Sequence, residues 1–377
     1  MIVLIDIVLV KADPILNQGS IRAQQISSSL RKKYSVLALG WNRGEGVPKN
    51  ANMLQVFNLI APYGCTLRYL ALLPIFWTWI FVKLCIHRPK GIHACNLDTV
   101  LPCYVYKMMF GNKLIFDIHD RYAMAFINTN KGFFYDKLYL LVNFLEESIA
   151  NKSDLLICVN DKIFTTFKKI PRNCVTIMNC PEENFIKQSK LLSNNFKLLF
   201  TGHVRVGRGL DKLLKILADL KDTELLVTGR VEDKKLLKKA YEISNCKYLG
   251  FLDRDQLLNL ELSSDAIIAL YDLNLQTQNE YLMANKILEA MMCGLPVITN
   301  IAHEIIHETE GGLLVEYENV NQIKEAIIAL RDNIELRTTL GNNGRRAFLE
   351  KYNWKVMENR LLKSYQALIP TIGENIV

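Results

Sequence analysis

The ten residues Phe200-Thr201-Gly202-His203-Val204-Arg205-Val206-Gly207-Arg208-Gly209 carry the densest chemical signal in this chain. They follow the apolar run Lys197–Thr201 and precede the amphipathic segment Leu210–Leu220. Glycines at such a turn let backbone approach a ligand closely, and a helix start offers free N–H groups and a positive dipole end. Arg208 adds a permanent bidentate charge suited to phosphate oxygens. The same glycines would also serve a plain strand-to-helix turn.

A second segment runs from Tyr281 to Thr299. Its pattern predicts a helix from about Met283 to Gly294, then Pro296 and a buried strand. Glu289 falls among apolar neighbours there, and a buried carboxylate must find partners. Two ribose hydroxyls would satisfy it, as would an arginine or lysine of the protein. Lys286, one turn earlier, is placed to face phosphates. A third candidate is His119, between Asp117 and Asp120, at the C-terminal end of an apolar strand where open α/β sheets place ligands. His303-Glu304-Ile305-Ile306-His307 fits H-E-x-x-H, a zinc-hydrolase pattern when it lies on a helix. Gly311-Gly312 limits that helix to about two turns, so a short surface helix is the expectation and a zinc hydrolase the alternative.

Positioning these residues requires a particular scaffold. Strands are expected at 2–10, 35–40, 55–60, 91–95, 113–119, 154–159 and 174–178, then at 197–201, 224–228, 246–249, 266–270, 296–299 and 313–316. Helical segments alternate with them, notably Ser20–Lys32, Thr66–Ile86, Asp98–Phe110 and Phe134–Ala150. Such alternation gives parallel sheets covered by helices on both faces, and so many strands divide into two doubly wound domains. The polar stretch 181–195 reads as a linker.

Together the two segments resemble family 4 glycosyltransferases of the GT-B fold. Asn17-Gln18-Gly19-Ser20-Ile21-Arg22 stands where the family has its first glycine loop. Ile92-His93-Ala94, Phe116-Asp117-Ile118-His119-Asp120 and Ile177-Met178-Asn179 match its strand-end motifs, and Phe251 follows the Gly250 of a loop near the donor base. The resemblance implies an α/β GT-B architecture of two Rossmann-like domains with an interdomain cleft. Residues 1–182 would take the acceptor and 183–352 a nucleotide sugar, with 353–377 crossing back to the first domain. It further implies a retaining transfer, with the nucleotide sugar as co-substrate and no metal or other cofactor. Gly19 and Gly202 would lie near the diphosphate, Arg208 would replace the phosphate-binding lysine, and Glu289 would bind the ribose. His203 stands where the family has arginine, with Arg205 nearby. Tyr281, beside Glu280, stands where many members have a further glutamate. His119, Arg208 and Glu289 are thus the catalytic candidates. Asn285, Lys286 and Phe251 join the donor side, and Arg22, His93, Asp117 and Asp120 the acceptor side.

Composition bounds the partners. The chain has 377 residues and a net charge of +8. Residues 1–182 hold 21 basic and 12 acidic residues, a balance of +9, and 183–377 hold 25 and 26, a balance of −1. The basic excess therefore belongs to the first half. No nucleic-acid-binding signature accompanies it, which leaves an anionic membrane surface beside Arg68, Lys83, Arg88 and Lys90. The intervening apolar run Tyr69–Val82 contains Pro74 and is too short to span; a buried helix is expected and an interfacial one is the alternative. Nine cysteines without a C-x-x-C pair suggest free thiols in a reducing compartment. The apolar N-terminus reads as a first strand, not a leader. A cytoplasmic location, peripheral to the membrane, follows as the expectation.

Overall fold

The computed structural model describes residues 4–15, 20–44, 53–126, 133–183, 195–275 and 285–370. The chain divides into unit 1, Met1–Asn179 with Met357–Val377, and unit 2, Cys180–Val356.

Unit 1 is built on seven parallel strands: β1 (Ile7–Val10), β2 (Val36–Trp41), β3 (Leu54–Phe57), β4 (Gly91–Cys95), β5 (Lys113–Ile118), β6 (Leu155–Cys158) and β7 (Cys174–Thr176). Their spatial order is β3-β2-β1-β4-β5-β6-β7. β1 and β2 are buried along their whole length, as expected of strands covered on both faces. The direction of winding reverses between β1 and β4, which makes their C-terminal ends the topological switch point. Register sets Val10 beside Ala94 and Cys95 beside Asp117, so Lys11, Asn96 and His119 emerge together at that edge. The connecting helices are α1 (Ile21–Leu30), α2 (Thr66–His87), α3 (Leu97–Phe110), α4 (Phe133–Lys152) and α5 (Lys162–Thr165). β1 begins at Ile7; Asp6 before it bonds Ser35 through both backbone and side chain, and the expected start at Ile2 lies outside the described residues.

The helix around Tyr69–Val82 departs from expectation twice. It extends over 22 residues and is long and apolar enough to cross a membrane. It is also not a buried helix: only Phe76, Ile80 and Leu84 are enclosed. Pro74 does not break it, and the Thr78 hydroxyl donates to the Pro74 carbonyl at 2.9 Å.

Unit 2 repeats the scheme with β8 (Phe196–Thr201), β9 (Thr223–Thr228), β10 (Cys246–Tyr248), β11 (Ala266–Ala269), β12 (Val297–Thr299) and β13 (Gly312–Leu314), ordered β10-β9-β8-β11-β12-β13. The helices are α6 (Leu210–Leu217), α7 (Lys234–Tyr241), α8 (Arg254–Leu262), α9 (Asn285–Cys293), α10 (His303–Thr309), α11 (Val320–Asp332) and α12 (Ile334–Glu350). Leu213, Ile216, Leu217, Ile323 and Ile327 pack on Phe200 and Ile268 to close its core. The last helix, α13 (Trp354–Leu368), starts in unit 2 and from Met357 belongs to unit 1. There Tyr34 donates its hydroxyl to the Ile369 carbonyl at 2.9 Å.

Candidate active site

In unit 2 the chain leaves β8 and turns through Gly202, Gly207 and Gly209, with φ of +116°, +82° and +83°. Close packing fixes this loop. A Cβ on Gly209 would lie 2.5 Å from the Leu270 Cβ, and one on Gly229 would lie 1.8 Å from the Gly202 carbonyl oxygen. Gly202 N–H donates to the Thr228 carbonyl at 3.0 Å and Val204 N–H to that of Arg230 at 2.9 Å. Arg208 spreads its guanidinium over the Tyr271 ring at 4.4 Å, and Lys286 lies 5.3 Å from the same ring centre. Two cations thus converge on one aromatic ring, and neither has an ion-pair partner among the described residues. Arg208 Nε is buried there without a hydrogen-bond acceptor. Lys286 donates to the Thr201 carbonyl. On the outer part of the loop, His203 and Arg205 both turn to Glu232.

Glu289 follows Lys286 by one helical turn. Burial pushes its carboxyl up, opposed by Arg254 and Lys286. Glu261 of α8 belongs to the same cluster, pushed up to about 8 by burial and by the charge of Glu289. One Glu261 oxygen accepts from the Cys293 thiol at 3.7 Å, and the other is buried without a partner. The two carboxyls titrate as a pair, and burial pushes both up. Asn285 opens α9 and is exposed. Phe251 presents an exposed ring beside Gly250, with Arg230 5.9 Å from its centre.

In unit 1 the edge formed by β1, β4 and β5 carries an enclosed charge network. Asp117 is fully buried and accepts from Arg22 Nη2 at 2.7 Å and Nε at 2.9 Å. Arg22 also donates to the Ile177 carbonyl at 2.6 Å and to Asn179 Oδ1 at 3.0 Å. Burial alone would raise the Asp117 carboxyl, but the Arg22 guanidinium holds it well below the usual carboxylate range. His119 Nε2 lies 2.9 Å from the same carboxylate and its Nδ1 lies 3.2 Å from Lys11 Nζ. Burial depresses the imidazole to about 4, with Asp117 opposing and Lys11 assisting. His119 is therefore neutral, donating through Nε2 and accepting at Nδ1 from the Lys11 ammonium. Its backbone N–H donates to Asn96 Oδ1 at 2.8 Å. Beneath it, His93 joins Asp117 at 3.3 Å to the Tyr365 hydroxyl at 2.6 Å.

Residues 181–347, nearly all of unit 2, match the family of glycosyl transferases group 1. An uncharacterized glycosyltransferase of Methanocaldococcus jannaschii is 24% identical over 298 residues, 72% of this chain and 73% of the relative. The chain is a glycosyltransferase whose residues 181–347 form a group 1 domain. A GDP-mannose-dependent monoacylated α-(1-6)-phosphatidylinositol monomannoside mannosyltransferase of Corynebacterium glutamicum is 28% identical over 173 residues, 42% of this chain and 44% of the relative. Among solved structures, Anabaena HepE in complex with UDP and glucose superposes with a TM-score of 0.71 at 15% identity, over 96% of this chain and 100% of that one. Each unit has the Rossmann-like sheet of the GT-B fold.

The structure gives several expected residues surroundings that the sequence did not suggest. Arg22, His93 and Asp117, expected beside the acceptor, are enclosed and bonded to one another, so they hold His119 in place. Asp120 is exposed at the strand end. Gly19, Glu280 and Tyr281 lie outside the described residues. His303 and His307 are exposed on the seven-residue α10, and the ring of His303 contacts the Asn300 carbonyl at 3.0 Å. The H-E-x-x-H segment is therefore a surface helix of a glycosyltransferase. Among the described residues, one His/Cys/Asp/Glu group has ligating atoms within 4.8 Å of one another: His93, Cys95 and Asp117. Arg22 already supplies a cation there, and burial pushes the Cys95 thiol up.

Sequence reasoning missed Lys11, Glu261 and Tyr365. Lys11 had a signal, since a lysine directly after an apolar strand sits at the ligand edge of the sheet. It is 6% exposed, and burial works against its charge, but Asp13, Asp98 and Asp117 keep it protonated.

Proposed function

We propose that this glycosyltransferase moves a sugar from a nucleotide-sugar donor to a glycan or lipid-linked acceptor with retention of configuration. The observation that carries the reading is the convergence of Arg208 and Lys286 on Tyr271, beside the half-buried residue Glu289. Unit 2 takes the donor. Its diphosphate lies against the Gly202–Gly209 loop and the start of α6, where these two cations and the helix N-terminus stabilise charge growing on the leaving group. The one Asp-x-Asp run of the sequence, Asp253-Arg254-Asp255, opens α8, where Asp253 caps the helix by accepting from the Gln256 N–H at 2.9 Å, and the transfer is assigned to side chains without a metal. Glu289 accepts from the ribose hydroxyls.

Unit 1 takes the acceptor and the transferred sugar. His119, neutral and bonded at both ring nitrogens, is a fixed contact for that sugar and not a proton shuttle. Lys11, Arg22, Asp117 and His93 are the residues that hold it. Retention follows from the family resemblance, and the nine free cysteines support a cytoplasmic location. Similar proteins are named with UDP and with GDP-mannose, so the test spans bases. The protein is incubated with UDP-, GDP- and ADP-sugars plus an extract of candidate acceptors, and free nucleoside diphosphate is measured. Release from one sugar nucleotide, lost in Glu289→Ala, is the expected result. Release from none overturns the proposal.

A further inference from the structure

We infer that unit 1 rests on a lipid bilayer through the outer side of its α2–α3–α4 layer, with apolar side chains in the interfacial zone and bordering cations on anionic headgroups. Right-handed connections in this strand order place α2, α3 and α4 together on the sheet face opposite α1. Contacts join them: Phe81 of α2 lies 5.9 Å from Tyr106 of α3, and Lys107 of α3 donates to the Lys152 carbonyl of α4 at 2.8 Å.

The outward stripe of α2 is Leu67, Ala71, Ile75, Thr78, Val82 and Ile86, all exposed at intervals of three or four residues. A solvated helix carries charges on such a stripe; here Thr78 is its sole polar residue. Leu67 is 86% exposed. The neighbours continue the surface, with Val105, Met108, Met109 and Phe110 exposed on α3 and Leu140, Leu141 and Phe144 exposed on α4. Single exposed apolar residues are ordinary, but three adjacent helices with apolar outer runs mark an interaction surface.

Charge selects the bilayer as occupant. The segment Thr66–His87 contains no Asp or Glu, while Arg68 stands near its start, and Lys83 and Arg88 stand near its end. An apolar strip bordered by cations suits an anionic leaflet. Two copies meeting on this surface would bring a strip whose bordering charges are all positive against itself. Phe76, Ile80 and Leu84 bind α2 side-on to its own unit, so it lies in the interface and does not cross. Its first turn carries Tyr69, whose hydroxyl donates to Asp98 at 2.6 Å, near Lys11 and the His119 network. The helix thus runs from the candidate acceptor residues to the bilayer, which makes the acceptor lipid-linked; that last clause alone rests on the function proposed above.

The test is flotation of the full chain with vesicles of phosphatidylcholine, alone or mixed with phosphatidylglycerol, at low and high salt. The wild type is expected to float with the mixed vesicles and to keep a measurable fraction bound at high salt, because apolar insertion is not screened. Leu67→Glu/Ile75→Glu/Val82→Glu, at exposed positions, is expected to lower the bound fraction roughly tenfold or more while keeping the melting temperature and nucleotide release of the wild type. A second variant, Met108→Glu/Phe144→Glu, should do the same from the neighbouring helices. Wild type that stays unbound with both vesicles overturns the inference, as does a triple variant that floats equally well. A vesicle-free dimer that the triple variant dissolves also overturns it and assigns the surface to a second copy. Failure of the sugar-nucleotide panel would leave the flotation result unchanged, so the two readings fail separately.

Discussion

Replacing Arg22 by methionine tests the charge network of unit 1 at its centre. The guanidinium supplies two of the bonds to Asp117, at 2.7 and 2.9 Å, and two more to Ile177 and Asn179. Without it a carboxylate of zero side-chain exposure keeps only imidazole partners, at 2.9 and 3.3 Å. Breaking a buried pair by removing one partner costs about 3–5 kcal/mol, because the remaining charge stays desolvated. For a unit of this size each kcal/mol lowers the melting temperature by roughly 2–4 °C, so Arg22→Met should fall by roughly 6–20 °C in calorimetry. Adding Asp117→Asn to that variant removes the stranded charge and should restore about 2 kcal/mol or more. A melting temperature within roughly 2 °C of wild type would refute the reasoning, as would a double variant no more stable than Arg22→Met.

Two further outcomes follow from the titrating groups. The His119 ring, depressed to about 4, should stay neutral in ¹⁵N NMR as pH falls through 6.5. Its folded value lies below the unfolded one, so its contribution to stability is lost as pH drops from 6.5 toward 4. Lys11→Met should move its midpoint upward, and a wild-type midpoint near 6.5 contradicts the assignment. Glu261, at about 8, is raised on folding from an ordinary value of 4.5, so the folded chain binds the extra proton and stability falls as pH rises between these values. Glu261→Gln should therefore gain stability over wild type progressively across that window, by a few kcal/mol at its upper end in urea unfolding. Parallel pH curves for the two proteins rule this out.

Much of the scaffold was legible because parallel strands covered on both faces are unbroken apolar runs. Gly91–Cys95 matches its expected span, and Lys113–Ile118 and Ala266–Ala269 fall within one residue of theirs. The glycine turn Gly202–Gly209 and the helix that carries Glu289 were legible too, since each is set by residues close to it in sequence. What was hidden depends on contacts between distant segments. His119 becomes a neutral, doubly bonded ring through burial and through Lys11, which arrives from the end of another strand 108 residues away. Tyr365 reaches His93 across 272 residues, and the Glu261 carboxyl is pushed up by burial and by an α8–α9 pairing that no local pattern announces. For α2, composition showed an apolar helix but not which face would be covered. Only the fold shows that three side chains are enclosed.

Calorimetric titration asks whether unit 2 holds a nucleoside diphosphate through Arg208, Lys286 and Glu289. UDP, GDP and ADP are each titrated into the wild type, Arg208→Ala and Glu289→Ala. One of the three should bind the wild type and bind each variant roughly tenfold or more weakly, in keeping with the loss of a charge-assisted contact. Binding of none, or equal binding to both variants, would contradict this mode of binding.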